Sequence, residues 1–225
     1  MNEELLTFTN CKHTKVELLA SLLRHAATDA ITQGVYWQHG KGCAVGCSIH
    51  DFAAGNESDH SLYELLFGIP EELAFLEDKI FESLPAEKAV EWPIRFAEAI
   101  PEGVSLTIPL AKFKRFLLTE VCEFDREVWL DVARAADAVI ALLDRRIAGD
   151  EPSPEEWLAA WSAAESATES AESAAESAWS ATRSATRSAW SATRSATRSA
   201  TESATRSAAW EQIADKLIEL LKETQ

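Results

Sequence analysis

SATRSATRSAW, residues 180–190, is the stretch whose spacing decides how this chain folds. Its serines, Ser180, Ser184 and Ser188, lead to Ser191 in steps of four, four and three. Working outward, serines recur from Ser162 through Ser166, Ser170, Ser173 and Ser177 on one side, and through Ser195, Ser199 and Ser203 to Ser207 on the other. Every one is followed by alanine. Forty-five residues in twelve steps give a mean of about 3.75 residues, close to the 3.6 of one α-helical turn. Gly149 and Pro154 are the last glycine and proline of the chain, so nothing interrupts a helix from there to about Lys222. At 1.5 Å per residue one helix of that length spans about 100 Å.

A 100° helical wheel sorts the repeat into stripes. Ala163, Ala167, Ala171, Ala174, Ala178, Ala181, Ala185, Ala189, Ala192 and Ala196 form one, and Trp179, Thr182 and Trp190 lie in the stripe beside it. Small residues once per turn let two helix axes approach closely, so these positions are the expected interface with another helix. Eleven residues over three turns favour straight or right-handed winding. Glu165, Glu169, Glu172 and Glu176 precede Arg183, Arg187, Arg194 and Arg198, with Glu202 as an exception. Antiparallel copies crossing near Thr182 set acids against bases. The expectation is an antiparallel homodimer, or a tetramer made of two such dimers, held as a coiled-coil-like bundle. A solitary spacer helix, a helix folded back on its own amino-terminal domain and an ice-binding face are the competing readings.

The remaining segments are read mostly as helices. His13 to Thr32 places Val16, Leu19, Leu23, Ala27 and Ala30 on one face before Gly34. Pro70 opens a second helix with Leu73, Leu76, Ile80 and Leu84 along one side, and Pro85 closes it. Pro93 breaks or kinks the next at Trp92. Leu106 to Ile108 reads as a short extended piece before a helix from Pro109 to about Cys122. Asp125 to Ala148 reads as a helix ended by Gly149. Ser153-Pro154-Glu155-Glu156 is a start signal, with a capping serine, proline at the first helical position and a glutamate three residues past the cap. The predicted fold is mainly α, with a helix-rich globular domain over 1–149 and a long repeat helix for oligomerisation over 150–225.

Charge narrows the partners. The net charge is −16, of which −11 lies before residue 151 and −5 after it. Acidity on both sides argues against nucleic acid and anionic membrane. No apolar run reaches the length of a membrane span, and no secretory signal is visible. Four cysteines in 225 residues do not make a disulfide framework, so reduced thiols and a cytoplasmic location are expected.

Chemistry concentrates between Gly34 and His60, which hold five of eight glycines, three of five histidines and two of four cysteines. His39, Gly40, Lys41 and Gly42, leading into a helix at Cys43, read as a cradle for a phosphate-containing nucleotide. Cys43, Cys47 and His50, spaced by four and three, read as zinc ligands on one helix face, with His39 or His60 completing the set. Cys43 near His39 and Lys41 reads as a nucleophile. The plain alternative is packing: glycines for turns and close approach, and small Cys43, Ala44, Val45 and Cys47 in a core covered by Tyr36 and Trp37. Elsewhere, His13, His25, Cys11 and Cys122 read as ordinary side chains. Lys112, Lys114 and Arg115 form the best basic patch, on a solvated helix face.

GKGCAVGC at 40–47, GIPEELAFLED at 68–78 and the repeat at 161–209 together resemble an uncharacterised family of bacterial and bacteriophage proteins. Its members pair such a domain with SAAW/SAAR/SAAE units. The resemblance implies a phage or mobile-element setting and a host factor or signalling molecule as partner. It carries no activity to any residue. The leading expectation is a non-enzymatic, self-assembling binding or scaffold protein. An oligomeric nucleotide sponge comes second, and a metal- or thiol-dependent enzyme on Cys43, Cys47 and His50 third.

Overall fold

The computed structural model describes residues 4–121, 125–186 and 195–224, with the backbone alone over 171–186 and 195–207. In chain order the helices are α1 (Lys15–Ala27), α2 (Ala44–Ala53), α3 (Leu62–Phe67), α4 (Glu71–Ser83), α5 (Ala86–Ala89), α6 (Trp92–Ala99), α7 (Thr107–Phe116), α8 (Leu130–Ile147), α9 (Pro154–Thr186) and α10 (Ser195–Lys222). The protein is mainly helical. Among the described residues there is no strand, and two isolated bridges, Ile31 with Gly42 and Gln38 with Lys41, are the β pairing present. No helix there is long and apolar enough to cross a membrane. The chain forms two compact units, Met1–Leu110 with Thr205–Gln225, and Ala111–Ala204. The boundary expected at 149/150 falls inside the second unit, in the connection between α8 and α9.

In the first unit α2 is central, packing on α1, α3, α4 and α6. Val45, Ile49, Phe67, Leu73, Phe81, Trp92 and Phe96 are fully or almost fully buried there. Thr14 starts α1 with a reciprocal capping box to Glu17. The buried face of α1 is Leu18, Ser21, Leu22 and His25, not the expected one, since Val16 and Leu23 are 72% and 54% exposed. Apolar spacing missed this because two of the four buried positions are polar. Both reach Asp51 on α2: the Ser21 hydroxyl donates at 2.6 Å, and His25 Nε2 lies 3.5 Å away. The helix also ends at Ala27 rather than Thr32, with Asp29 left-handed at φ 53°.

Pro70 and Pro85 bracket α4 as expected, and Pro93 sits in the first turn of α6. Glu77 on α4 is 1% exposed and accepts the Tyr63 hydroxyl at 2.6 Å, while its backbone carbonyl accepts Trp92 Nε1 at 3.1 Å. The end of α10 completes this unit. Ile213, Ala214, Leu217, Ile218, Leu220 and Leu221 are buried, and Glu211 and Asp215 pair with Lys88 and Arg95 at 2.5 and 2.7 Å. Trp210 lies beneath Lys79, whose Nζ is 6.0 Å from the ring centre.

In the second unit α8 and α9 are the most heavily packed pair of helices among the described residues. Ala133, Ala135, Ala136 and Leu143 of α8 and Ala160 and Ala167 of α9 are buried. Close-approaching alanines thus join two helices of one chain here. Of the seam positions, Ala167 is buried and Ala163 exposed. Ala171, Ala174, Ala178, Trp179, Ala181, Thr182 and Ala185 lie on the α9 backbone and Ala196 on α10, their side chains outside the described set. Ala189, Trp190 and Ala192, like Cys122, lie outside the described residues altogether. The expected 70-residue rod is helical over the α9 and α10 ranges.

Two local expectations change. Leu106 to Ile108 is not extended: Thr107 and Ile108 open α7 with Pro109 in the first turn, where a missing N–H costs nothing. A π-helical turn, Leu117–Val121, follows. α8 begins at Leu130 instead of Asp125, because the Asp125 carboxylate accepts the N–H groups of Glu127 and Val128 at 3.0 and 3.2 Å and holds a separate turn. Gly149, at φ 86°, ends α8 as expected. Ser153 and Glu156 form the predicted capping box, each accepting the other's backbone N–H at 3.2 and 2.8 Å.

Candidate functional site

The glycine-cysteine segment turns at His39 and Gly40, which take φ of 52° and 78°. Gln38 and Lys41 exchange backbone hydrogen bonds of 2.7 and 3.0 Å across that turn. The Gly42 N–H donates to Ala30 and the Cys43 N–H to Val35, at 2.8 and 2.7 Å. The amides of Lys41, Gly42 and Cys43, which a phosphate cradle would use, are therefore committed to carbonyls. Gly42 and Gly46 are small for another reason. A Cβ would stand 2.3 Å from the Tyr36 carbonyl oxygen at Gly42 and 1.6 Å at Gly46, so the Tyr36 backbone lies directly on the first turn of α2.

That packing sets Tyr36 over Cys43. Cys43 is the N-cap of α2, with extended ψ, and its Sγ accepts the Gly46 N–H at 3.4 Å. Being outside the helix, it does not project along the Cys47 and His50 face. It turns instead toward Asp78 and Glu82, which lie four apart on one face of α4. The three ligand atoms are within 4.8 Å of one another, and among the described residues they are the one group of three such side chains this close. With Gly34, Val35 and Tyr36 they line a cleft of about 180 Å³.

The Gly34 N–H donates to both Glu82 carboxylate oxygens at 3.0 Å. The Tyr36 hydroxyl donates to Asp78 Oδ2 at 3.4 Å. His60 Nε2 lies 3.5 Å from the same oxygen, with the His60 ring stacked on Phe75 at 4.1 Å. Burial, and then the Asp78 charge, push the Cys43 thiol far above its ordinary range. The thiolate is the nucleophilic form, and burial works against it here.

Cys47 and His50 go elsewhere. The buried Cys47 thiol is 3.4 Å from the Gly42 carbonyl and 3.9 Å from that of Ala30, and burial pushes it up to about 12. His50 stacks on Trp37 at 3.7 Å and holds Glu57 through Nδ1 at 2.7 Å. His25 joins this second cluster edge-on to Trp37. Burial lowers its pKa against the opposing pull of Asp51. Burial opposes ionisation of Asp51, yet hydrogen bonds from Ser21 and Arg24 hold its carboxyl below the usual range.

The sequence reading missed Asp78, Glu82, Asp51 and Glu57. The first two carried one signal, their spacing of four on a helix opened by Pro70. Nothing in the spacing joins them to a cysteine 35 and 39 residues earlier. No family model, curated protein or solved structure matches the chain.

Proposed function

We propose that the chain is a non-enzymatic, self-associating binding protein. The outer face of α9 meets a second copy, and the assembly presents several amino-terminal units to one partner. The observation that carries this reading is the exposure of Leu158 and Trp161. They lie about one turn apart at the start of α9 and are 67% and 59% exposed, while Ala160 and Ala167 of the same helix are buried. Full burial of a large apolar side chain contributes about 1.5–3 kcal/mol, and a two-fold contact counts each twice.

Charge sets the direction. Glu165, Glu169, Glu172 and Glu176 belong to the α9 segment, and Arg198 and Arg206 to α10. Antiparallel copies bring the acidic stretch of one to the basic stretch of the other. Each exposed pair is worth only a few tenths of a kcal/mol, so charge selects orientation while burial supplies affinity. Joining copies raises the effective concentration of each amino-terminal unit for a multivalent partner.

Light scattering coupled to size exclusion tests this on the full chain and on a Leu158→Glu/Trp161→Glu variant. The wild type is expected as an oligomer and the variant as a monomer of unchanged helix content. Equal masses for the two proteins would remove α9 from any assembly.

A further inference from the structure

We propose that Cys43, Asp78 and Glu82 bind one divalent transition-metal ion of the zinc class in the cleft beside Tyr36. The ligand chemistry is a thiolate with two carboxylates, a mixed sulfur and oxygen set that suits a borderline ion such as Zn²⁺ or Co²⁺. Zinc bonds of about 2.0–2.3 Å place tetrahedral ligand atoms about 3.6 Å apart, so the three groups need to draw together by about an ångström. Cys43 is fixed as the N-cap of α2, and Glu82 is oriented by the Gly34 N–H. Three protein ligands leave the fourth position open to the cleft.

His60 supplies a second, independent pointer. Its side chain is 4% exposed, and Nε2 has no hydrogen-bond partner. Nδ1 lies 3.2 Å from the Ser58 carbonyl, which can only accept, so Nδ1 donates there. Nε2 lies 3.5 Å from Asp78 Oδ2. The second Asp78 oxygen is also buried without a hydrogen bond. His60 Nε2 and Asp78 Oδ1 are thus buried polar atoms without a hydrogen-bond partner, and a positive species beside Asp78 answers both. A divalent ion on Asp78 supplies it, and offsets the repulsion between the Asp78 and Glu82 carboxylates and the Cys43 thiolate that forms on binding.

Binding balances simply. The Cys43 S–H bond breaks, an S–metal bond forms, and one proton leaves to solvent for each ion bound. The unfavourable deprotonation of a buried thiol is thereby coupled to metal uptake. The proposal is independent of α9 assembly, because every residue it uses lies in the first unit.

Co²⁺ titration of the tag-free full chain, stripped with chelator and kept anaerobic, is the test. One equivalent is expected to bind with a thiolate-to-cobalt charge-transfer band in the near ultraviolet and release of one proton, and Zn²⁺ is expected to abolish the band. Cys43→Ser should remove the band. Glu82→Gln changes an exposed side chain, keeps the fold by circular dichroism, and should weaken binding at least about tenfold. Failure to retain stoichiometric cobalt would overturn the proposal. So would cobalt bound without the thiolate band, a band that survives Cys43→Ser, or unchanged affinity in Glu82→Gln.

Discussion

The last turns of α10 and the first turns of α9 are both amphipathic, and the chain treats them differently. At the end of α10 every large aliphatic side chain from Ile213 to Leu221 is buried, and Glu211 and Asp215 pair with cations of the same compact unit. At the start of α9 the alanines Ala160 and Ala167 are buried while Leu158 and Trp161 face solvent. Side-chain volume explains the difference. Leucine and isoleucine remove a large apolar area when they fill a core, whereas alanine contributes mainly by letting two helices come close. An alanine face therefore attaches α9 within the second unit without covering the large residues beside it. The end of α10 closes a core, and the start of α9 leaves Leu158 and Trp161 exposed.

The largest effect is expected where that contrast is sharpest. Leu217→Ala should cost about 2–5 kcal/mol in chemical denaturation, as for other fully buried leucines. Were the end of α10 only a grip for another copy, Leu217→Ala would lower protomer number and leave the unfolding of diluted monomer unchanged. That result would erase the contrast.

A second effect measures how completely the first unit excludes water. Burial pushes the Glu77 carboxyl up to about 8 from an ordinary 4.5, with Tyr63 hydrogen bonding pulling the other way. The folded protein therefore keeps a proton that the unfolded chain has lost between those values. Stability should be highest below about pH 4.5 as far as this group is concerned. It should fall by up to about 1.4 kcal/mol per pH unit as pH rises toward 8, and level off above. Glu77→Gln should flatten that slope and raise stability at pH 7. An unchanged slope in the variant would mean that Glu77 is ionised and solvated. The smallest effect belongs to the start of α9, where Ser153→Ala removes one half of a capping box and should cost about 1 kcal/mol of helix stability. No change in thermal unfolding would show that the α8–α9 packing alone sets that boundary.

How far these features could be read in advance depends on the range of the forces that make them. The cap at Ser153, the bracketing of α4 by Pro70 and Pro85, and the stop at Gly149 are local, and each stands in the structure where the residues put it. The face of α1 was misread because Ser21 and His25 owe their burial to Asp51, a residue 30 positions from Ser21. Gly46 announced a close approach, yet only the fold shows that the Tyr36 carbonyl is what approaches. The sequence reading sets Cys43 with Cys47 and His50, and the structure sets its thiol beside Asp78 and Glu82. Helical spacing favoured Cys47 and His50, but the cap conformation turns Cys43 toward α4. The use of the alanine repeat was equally ambiguous, since a stripe of small residues would suit a helix of the same chain or of another copy by the same chemistry.

Native mass spectrometry of the freshly purified full chain at low micromolar concentration addresses the assembly most directly. An even number of protomers, reduced to one by Leu158→Glu/Trp161→Glu, is the outcome expected if Leu158 and Trp161 are covered by a second copy. A single protomer at every concentration, for wild type and variant alike, would contradict it.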